Sequence, residues 1–300
     1  MNQIIRLSLI SPLFSYGVYD AHPEIRAPSI RGQLHWWFRA LGGNYVNERE
    51  IFGGVSVHRS HPNKNLHRDR ASRLIVRVEE LEVSRSEARR LPHKHGGEAA
   101  PRKTLSTGST FNLHLSWRLS PPSKPARELF ERTFRAWILA GSLGTRATRG
   151  SGALQPDDFP KTAEEWRTEM TNLMGDCSLS AHVLSKPYSD HESARKVVTD
   201  TIGGPFRKND WDDLRQYNWP LGDVATSKQC KDDSTRIKRK TSPLRLTLRR
   251  FDDGIRIITV WDGRKNVTGN DESDLRGAIK LLQEAGKPIG DQLAETWKGA

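Results

Sequence analysis

The stretch PSIRGQLHWWFRAL, residues 28–41, carries the clearest helical signal near the start of the chain. Ile30, Leu34, Trp37, Phe38 and Leu41 fall at spacings of three and four, which places them on one face of a helix. Pro28 suits a first helical turn, and the Gly42-Gly43 pair suits its end. Upstream, QIIRLSLI (residues 3–10) alternates, with Ile5, Leu7 and Leu9 on one side, and reads as a strand. Ser11 to Ala27, with two prolines and one glycine, reads as a long loop.

Downstream, a short helix or turn is expected over Arg49 to Phe52, ending at Gly53-Gly54. Residues 55–72 are polar, basic and rich in histidine, and read as an exposed loop. RLIVRVEELEV (73–83) and STFNLHLSWRL (109–119) read as strands, and the intervening 84–108 as a mobile segment. A second helix over about 125–140 carries the stripe Leu129, Phe130, Thr133, Phe134, Trp137 and Ile138. The order strand, helix, strand, strand, helix is most of a ferredoxin-like βαββαβ unit, the topology of RNA recognition motifs. Its fourth strand is expected over Leu179 to Leu184. Farther on come a helix near 162–174, a hairpin of 244–250 and 255–261 about Asp252-Asp253-Gly254, and a helix over 272–284. The predicted class is α+β. Residues 1–160 form a ferredoxin-like, RRM-like core, and 161–300 a less regular α+β part.

Composition narrows the function classes. Of 300 residues, 35% are apolar and 28% charged, and 48 Lys+Arg against 36 Asp+Glu give a formal charge of +12. That excess fits a polyanionic partner, because neutralised phosphates release counterions, and it fits a basic soluble enzyme equally well. Cys177 and Cys230 form no CxxC pair, so neither a disulfide framework nor a cysteine metal site is expected. The opening MNQIIRLSLISPLF lacks a signal-peptide pattern, and no run reaches the ~18 apolar residues of a membrane span. A cytoplasmic protein is expected.

Three constellations are candidates for binding phosphate. On the helix at 28–41, Arg31, His35 and Arg39 recur every fourth residue, extended by Arg26, and the helix holds no acid to pair with them. Arg31 and Arg39 lie roughly 12 Å apart along the axis, a span suited to successive phosphates. Trp36, off the core stripe, reads first as a packing residue and second as a base-stacking platform. The second constellation is AGSLGTRATRGSGAL, residues 140–154. Gly144, Gly150 and Gly152 permit close backbone approach, while Arg146, Arg149 and Ser151 supply donors. It lacks the GK[ST] of a nucleotide-binding P-loop, and a flexible linker is the plain alternative. The third is a basic run whose best donors are Lys238, Arg239 and Lys240.

The pieces SPLFSYG, EIRAPSIRGQLHWWFRALGG, STGSTFNLHL, GSLGTRATRGSGAL and RIKRKTSPLRL occur in this order. Together they resemble the RAMP superfamily, specifically the Cmr-type subunit that begins the type III-B CRISPR gene set. The helix matches that family's xSI(K/R)GxLRWWxRA almost throughout, with His35 where arginine is usual, and RxxRGSG at 146–152 matches its glycine-rich loop. The resemblance implies a ferredoxin-like core and allows a second, degenerate copy. It implies a non-catalytic subunit that assembles with other RAMP subunits on a CRISPR guide RNA, near the guide's 3′ end and the end of the filament, opposite target RNA. It assigns guide contacts to Arg26, Arg31, Arg39, Arg146 and Arg149.

Two rivals remain. One is a RAMP-type endoribonuclease that processes guide RNA by histidine acid-base chemistry, with His35 the best-placed histidine. The other is a general single-strand RNA binder, although Phe111 and Trp117 do not form an RNP-like strand. His58, His61 and His67 lack cysteine companions and His93 and His95 lie in the expected mobile segment, so no metal or other cofactor is expected.

Overall fold

In the computed structural model, the structure describes residues 2–18, 22–55, 69–92, 100–203, 220–222 and 241–297, with backbone alone at 201–203. β1 (Asn2–Leu9) leads to α1 (Ala27–Ala40) and α2 (Tyr45–Phe52). β2 (Leu74–Glu82), β3 (Arg85–Ala88), β4 (Arg102–Leu105) and β5 (Thr110–Trp117) follow. α3 (Lys124–Ala140) then precedes β6 (Leu154–Pro156). The first sheet has the order β2-β5-β1-β6 with every neighbouring pair antiparallel. That is the ferredoxin-like order, with α1 and α3 as its two crossovers.

The fourth strand is therefore β6, where Leu154 pairs with Leu9. The segment expected to fill that role, Leu179–Val183, is β7 of a second sheet. β6 has only three residues, too short for a period to register, whereas LSAHV alternates visibly. The described residues within 84–108 also differ from expectation: β3 and β4 pair with each other, and Leu105 and Thr104 are buried against Leu13. α2 is longer than expected because Asn44 caps it, its side chain accepting from the Asn47 N–H at 2.9 Å.

The remaining elements are α4 (Ala163–Met174), β7, α5 (His191–Gly203), β8 (Leu244–Phe251), β9 (Gly254–Asp262), α6 (Lys265–Thr268), α7 (Glu272–Glu284) and α8 (Pro288–Trp297). The second sheet runs β7-β9-β8. Both faces are covered, and β9 accordingly carries Ile258 and Val260 on one face and Ile255 and Ile257 on the other. Ile258 and Val260 join the core that α1 and α3 form with Leu7, Leu9, Phe111, Leu113 and Leu115. Leu244, Leu246, Leu248, Ile255 and Ile257 join a second core with α5, α7 and α8.

β8 brings arginines to the first core. Arg249 is fully buried, and its guanidinium donates to the carbonyls of Ile138 at 3.0 Å and Gly141 at 2.7 Å. Those carbonyls end α3, whose last turn has no basic residue of its own. A cation there meets orphaned acceptors and the negative end of the helix dipole. At the sheet's free edge, β2 is bulged between Glu80 and Glu82 and carries Glu79, Glu80 and Glu82.

Arg249→Leu strands both carbonyls. It is expected to lower the unfolding free energy by about 2–5 kcal/mol in urea titration.

Candidate nucleic-acid interface

The basic ridge of α1 is a brace between helices. The Arg31 guanidinium donates to the Phe52 carbonyl at the end of α2. His35 Nδ1 and Arg39 Nε each lie 2.7 Å from Glu48 Oε1, and the Glu48 side chain is only 5% exposed. The His35 ring also lies on Phe52, centroids 3.9 Å apart. The absence of an acid within α1 did not leave these cations free, because the acid comes from α2. The expectation that these cations meet no acid is corrected accordingly, while the Arg39 side chain stays 59% exposed. Burial pushes the Glu48 carboxyl up, but the hydrogen bonds from His35 and Arg39 outweigh it and hold the group below its ordinary value of 4.5.

Trp36 serves packing. The Arg245 guanidinium sits 3.4 Å from its ring centroid and that of Arg264 5.7 Å away, while Trp37 meets it edge-on. This cation–π stack docks α1 on β8 and leaves the ring's near face occupied.

The glycine-rich loop after α3 is a closed structural turn. Gly144 and Gly152 have φ of +75° and +63°, and a Cβ at either would collide with the carbonyl of Phe14 or Leu143. The loop's N–H groups are largely committed to protein carbonyls. Thr145 donates to Phe14, Gly150 to Leu246, Ser151 to Arg146 and Gly152 to Pro12. They do not form the converging phosphate nest expected from the sequence. Gly150 packs close to Val198 and Arg195 of α5, and Ser151 is fully buried.

Arg149 is corrected as well. It is 3% exposed and donates to the carbonyls of Thr148, Leu244 and Leu221 and to Ser242 Oγ, at 2.6–2.9 Å. Burial, helped by the charge of Arg146, pushes its guanidinium down to about 9. Among the described residues it has no carboxylate partner and is held by four oxygens, so it builds the loop. Arg146, at φ +63° and half-buried, and the exposed Thr145 remain on the outer side.

What lies beside that outer side is a cleft of about 570 Å³, lined by Tyr16, Glu87, Arg90, Pro101, Arg102, Lys103 and Thr145. The strap 11–16 ties its walls together. Leu13 bridges to Leu105 of β4, the Tyr16 hydroxyl donates to the Lys103 carbonyl, and Phe14 accepts from Thr145. Arg26 Nη1 donates to the Tyr16 carbonyl at 3.0 Å, and Arg26 also pairs with Glu24. Thus the approach to α1 and the glycine loop do meet at one strap, but Arg31, His35 and Arg39 point to α2. Among the described residues that line the cleft, the cations Arg90, Arg102 and Lys103 stand against one acid, Glu87. These residues fall in the segment expected to be mobile. Their signal was the arginine and lysine density of SRSEARR and PRKT, with few apolar residues to mark the strands.

Lys238, Arg239 and Lys240 lie outside the described residues, as do His58, His61, His67, His93 and His95. Among the described residues, no group of three His, Cys, Asp or Glu side chains could hold a metal ion.

Residues 6–155, half the chain, match the sequence profile of the RAMP superfamily, and the match runs from β1 into β6. The chain belongs to the RAMP superfamily. Within it, the chain is similar to the CRISPR system Cmr subunits of Pyrococcus furiosus. It is 34% identical to Cmr1-2 over 191 residues, covering 51% of this chain and 93% of that protein. It is 27% identical to Cmr1-1 over 155 residues, covering 45% of this chain and only 41% of that protein. Among solved structures, the fold resembles apo Cmr1 from Pyrococcus furiosus, with a TM-score of 0.51, 16% identity and 87% of each chain covered. It also resembles a chain of a type III-B Cmr-beta complex bound to cognate target RNA and AMPPnP, with a TM-score of 0.56, 11% identity and coverage of 94% and 98%. At such identities these two structures speak to the fold alone.

Glu48→Gln tests the brace. Because the folded carboxyl titrates below its unfolded value, its stabilisation is complete above about 4.5 and is lost as pH falls through the lower folded value. The variant is expected to be less stable at neutral pH, with the gap to the native chain closing in acid, as read by urea titration across pH. Gly152→Ala adds left-handed strain of about 1–2 kcal/mol to its collision and is expected to lower the melting temperature clearly in calorimetry.

Proposed function

We propose that this chain is a non-catalytic RNA-binding subunit of a type III-B CRISPR effector complex. Its partners would be the guide RNA, the target RNA and other RAMP subunits, in the cytoplasm and away from membranes. It would hold the guide's backbone near the 3′ end and cap the filament. The observation that carries this reading is the cleft, where cations of the β3–β4 hairpin, the Tyr16 strap and the outer side of the glycine loop meet. Arginine and lysine around a shallow channel suit sugar-phosphate, which needs charge and reach more than base-edge geometry. Membership in the RAMP superfamily and similarity to Cmr1 subunits support the assignment to such a complex. No helix among the described residues is long and apolar enough to cross a membrane.

The second sheet follows the same logic as the first. With α5 between β7 and β8 in sequence, and β9 between those strands in space, it would be a reduced copy of the unit, with no fourth strand among the described residues. The endoribonuclease reading is weaker, because His35, its best-placed histidine, is engaged by Glu48 and Phe52.

Arg102→Ala with Lys103→Ala is expected to weaken binding of a fluorescein-labelled single-stranded RNA regardless of its sequence. For two lost phosphate contacts, the slope of log K against log salt should flatten by about 1.4. An unchanged slope rejects the cleft as a backbone groove. Co-purification of a fixed-length guide with partner subunits supports the complex, whereas cleavage by the isolated chain, lost in His35→Ala, supports the nuclease.

A further inference from the structure

Arg195 of α5 has no exposed surface, yet α5 belongs to the layer covering the far side of the second sheet. Its guanidinium reaches back to three segments that surround the basic cleft. Nη2 donates to the Arg89 carbonyl at 2.7 Å and approaches Ser151 Oγ at 3.4 Å. The guanidinium carbon lies 5.7 Å from the Phe14 ring centroid. Nη1 donates to Glu192 at 2.8 Å, a carboxylate that is half exposed.

Each contact has a neighbour at the cleft. Arg89 immediately precedes Arg90, a lining residue, and Phe14 is two residues before Tyr16, another. Ser151 belongs to the loop that presents Thr145. A buried guanidinium is costly, and an apolar side chain would fill the same space more cheaply. What only a planar fork supplies is simultaneous donation in several fixed directions.

We propose that Arg195 is a positioning residue, which fixes the end of β3, where the chain runs on into Arg90, against the glycine loop and so holds Arg90, Arg102 and Lys103 at the spacing that RNA phosphates require. This rests on the cleft being the RNA groove. Arg195 itself touches no RNA. Lysine at this position keeps the charge but cannot hold the hairpin and the loop together.

The test is a double-mutant cycle on the full chain, with fluorescein-labelled single-stranded RNA as the probe and melting temperature measured in parallel. Arg195→Lys is expected to remain folded and to bind about tenfold more weakly. In that background, adding Arg102→Ala with Lys103→Ala should change the salt slope by half or less of its effect in the native chain, because the hairpin cations are already out of place. If the lysine variant loses cooperative unfolding, Ser151→Ala, which removes only the loop-side acceptor, takes its place in the cycle. Full additivity, or unchanged affinity and slope in the Arg195 or Ser151 variant, overturns the role of Arg195. If Arg102→Ala with Lys103→Ala has no effect in the native chain, the reading of the cleft itself fails, a distinguishable result.

Discussion

The backbone of β8 is where the molecule's two halves are joined. Leu246 accepts from Gly150 and donates to Thr148, so the glycine-rich loop of the first sheet is bonded directly to a strand of the second. The strand's alternation does the rest. Leu244, Leu246 and Leu248 belong to one core, while Arg245 and Arg249 reach back to α1 and α3. Shifting this strand by one residue would bury the wrong set on each side. The loop's shape and the docking of both crossover helices thus depend on a single register.

Arginine does an unusual share of the joining, and it does so mostly without acids. Arg149 and Arg249 are buried among carbonyl oxygens. A guanidinium has five donors in a plane and can satisfy several backbone acceptors that loops and helix ends leave over. These side chains add to the formal charge of the chain while being withdrawn from its surface. A sequence-level charge excess therefore overstates the charge available to a polyanion. Beside the cleft, Arg102 and Lys103 of β4 remain exposed.

This explains which parts of the fold and site were legible. α1, α3 and β5 bury one face each and leave a period in the sequence. β6 is three residues whose role is set by pairing with β1, and β3 and β4 are short and largely charged. The candidate site was half legible. Thr145 of the glycine loop lines the cleft and Arg26 bonds the carbonyl of Tyr16, another lining residue, because positive-φ glycines and the strap before α1 leave local marks. The pairing of His35 and Arg39 was not legible because their acid, Glu48, is near in space and absent from the helix. Arg149 was misread because RxxRGSG records two arginines without recording that one turns inward.

The bulged, glutamate-bearing border of the first sheet has a consequence for assembly. Unpaired N–H and C=O groups on a flat outer strand invite another chain to continue the sheet. Here the kink between Glu80 and Glu82 breaks the hydrogen-bonding repeat, and the clustered carboxylates repel a like strand. The β2 edge is thereby a poor template for extending the first sheet through main-chain pairing with another copy.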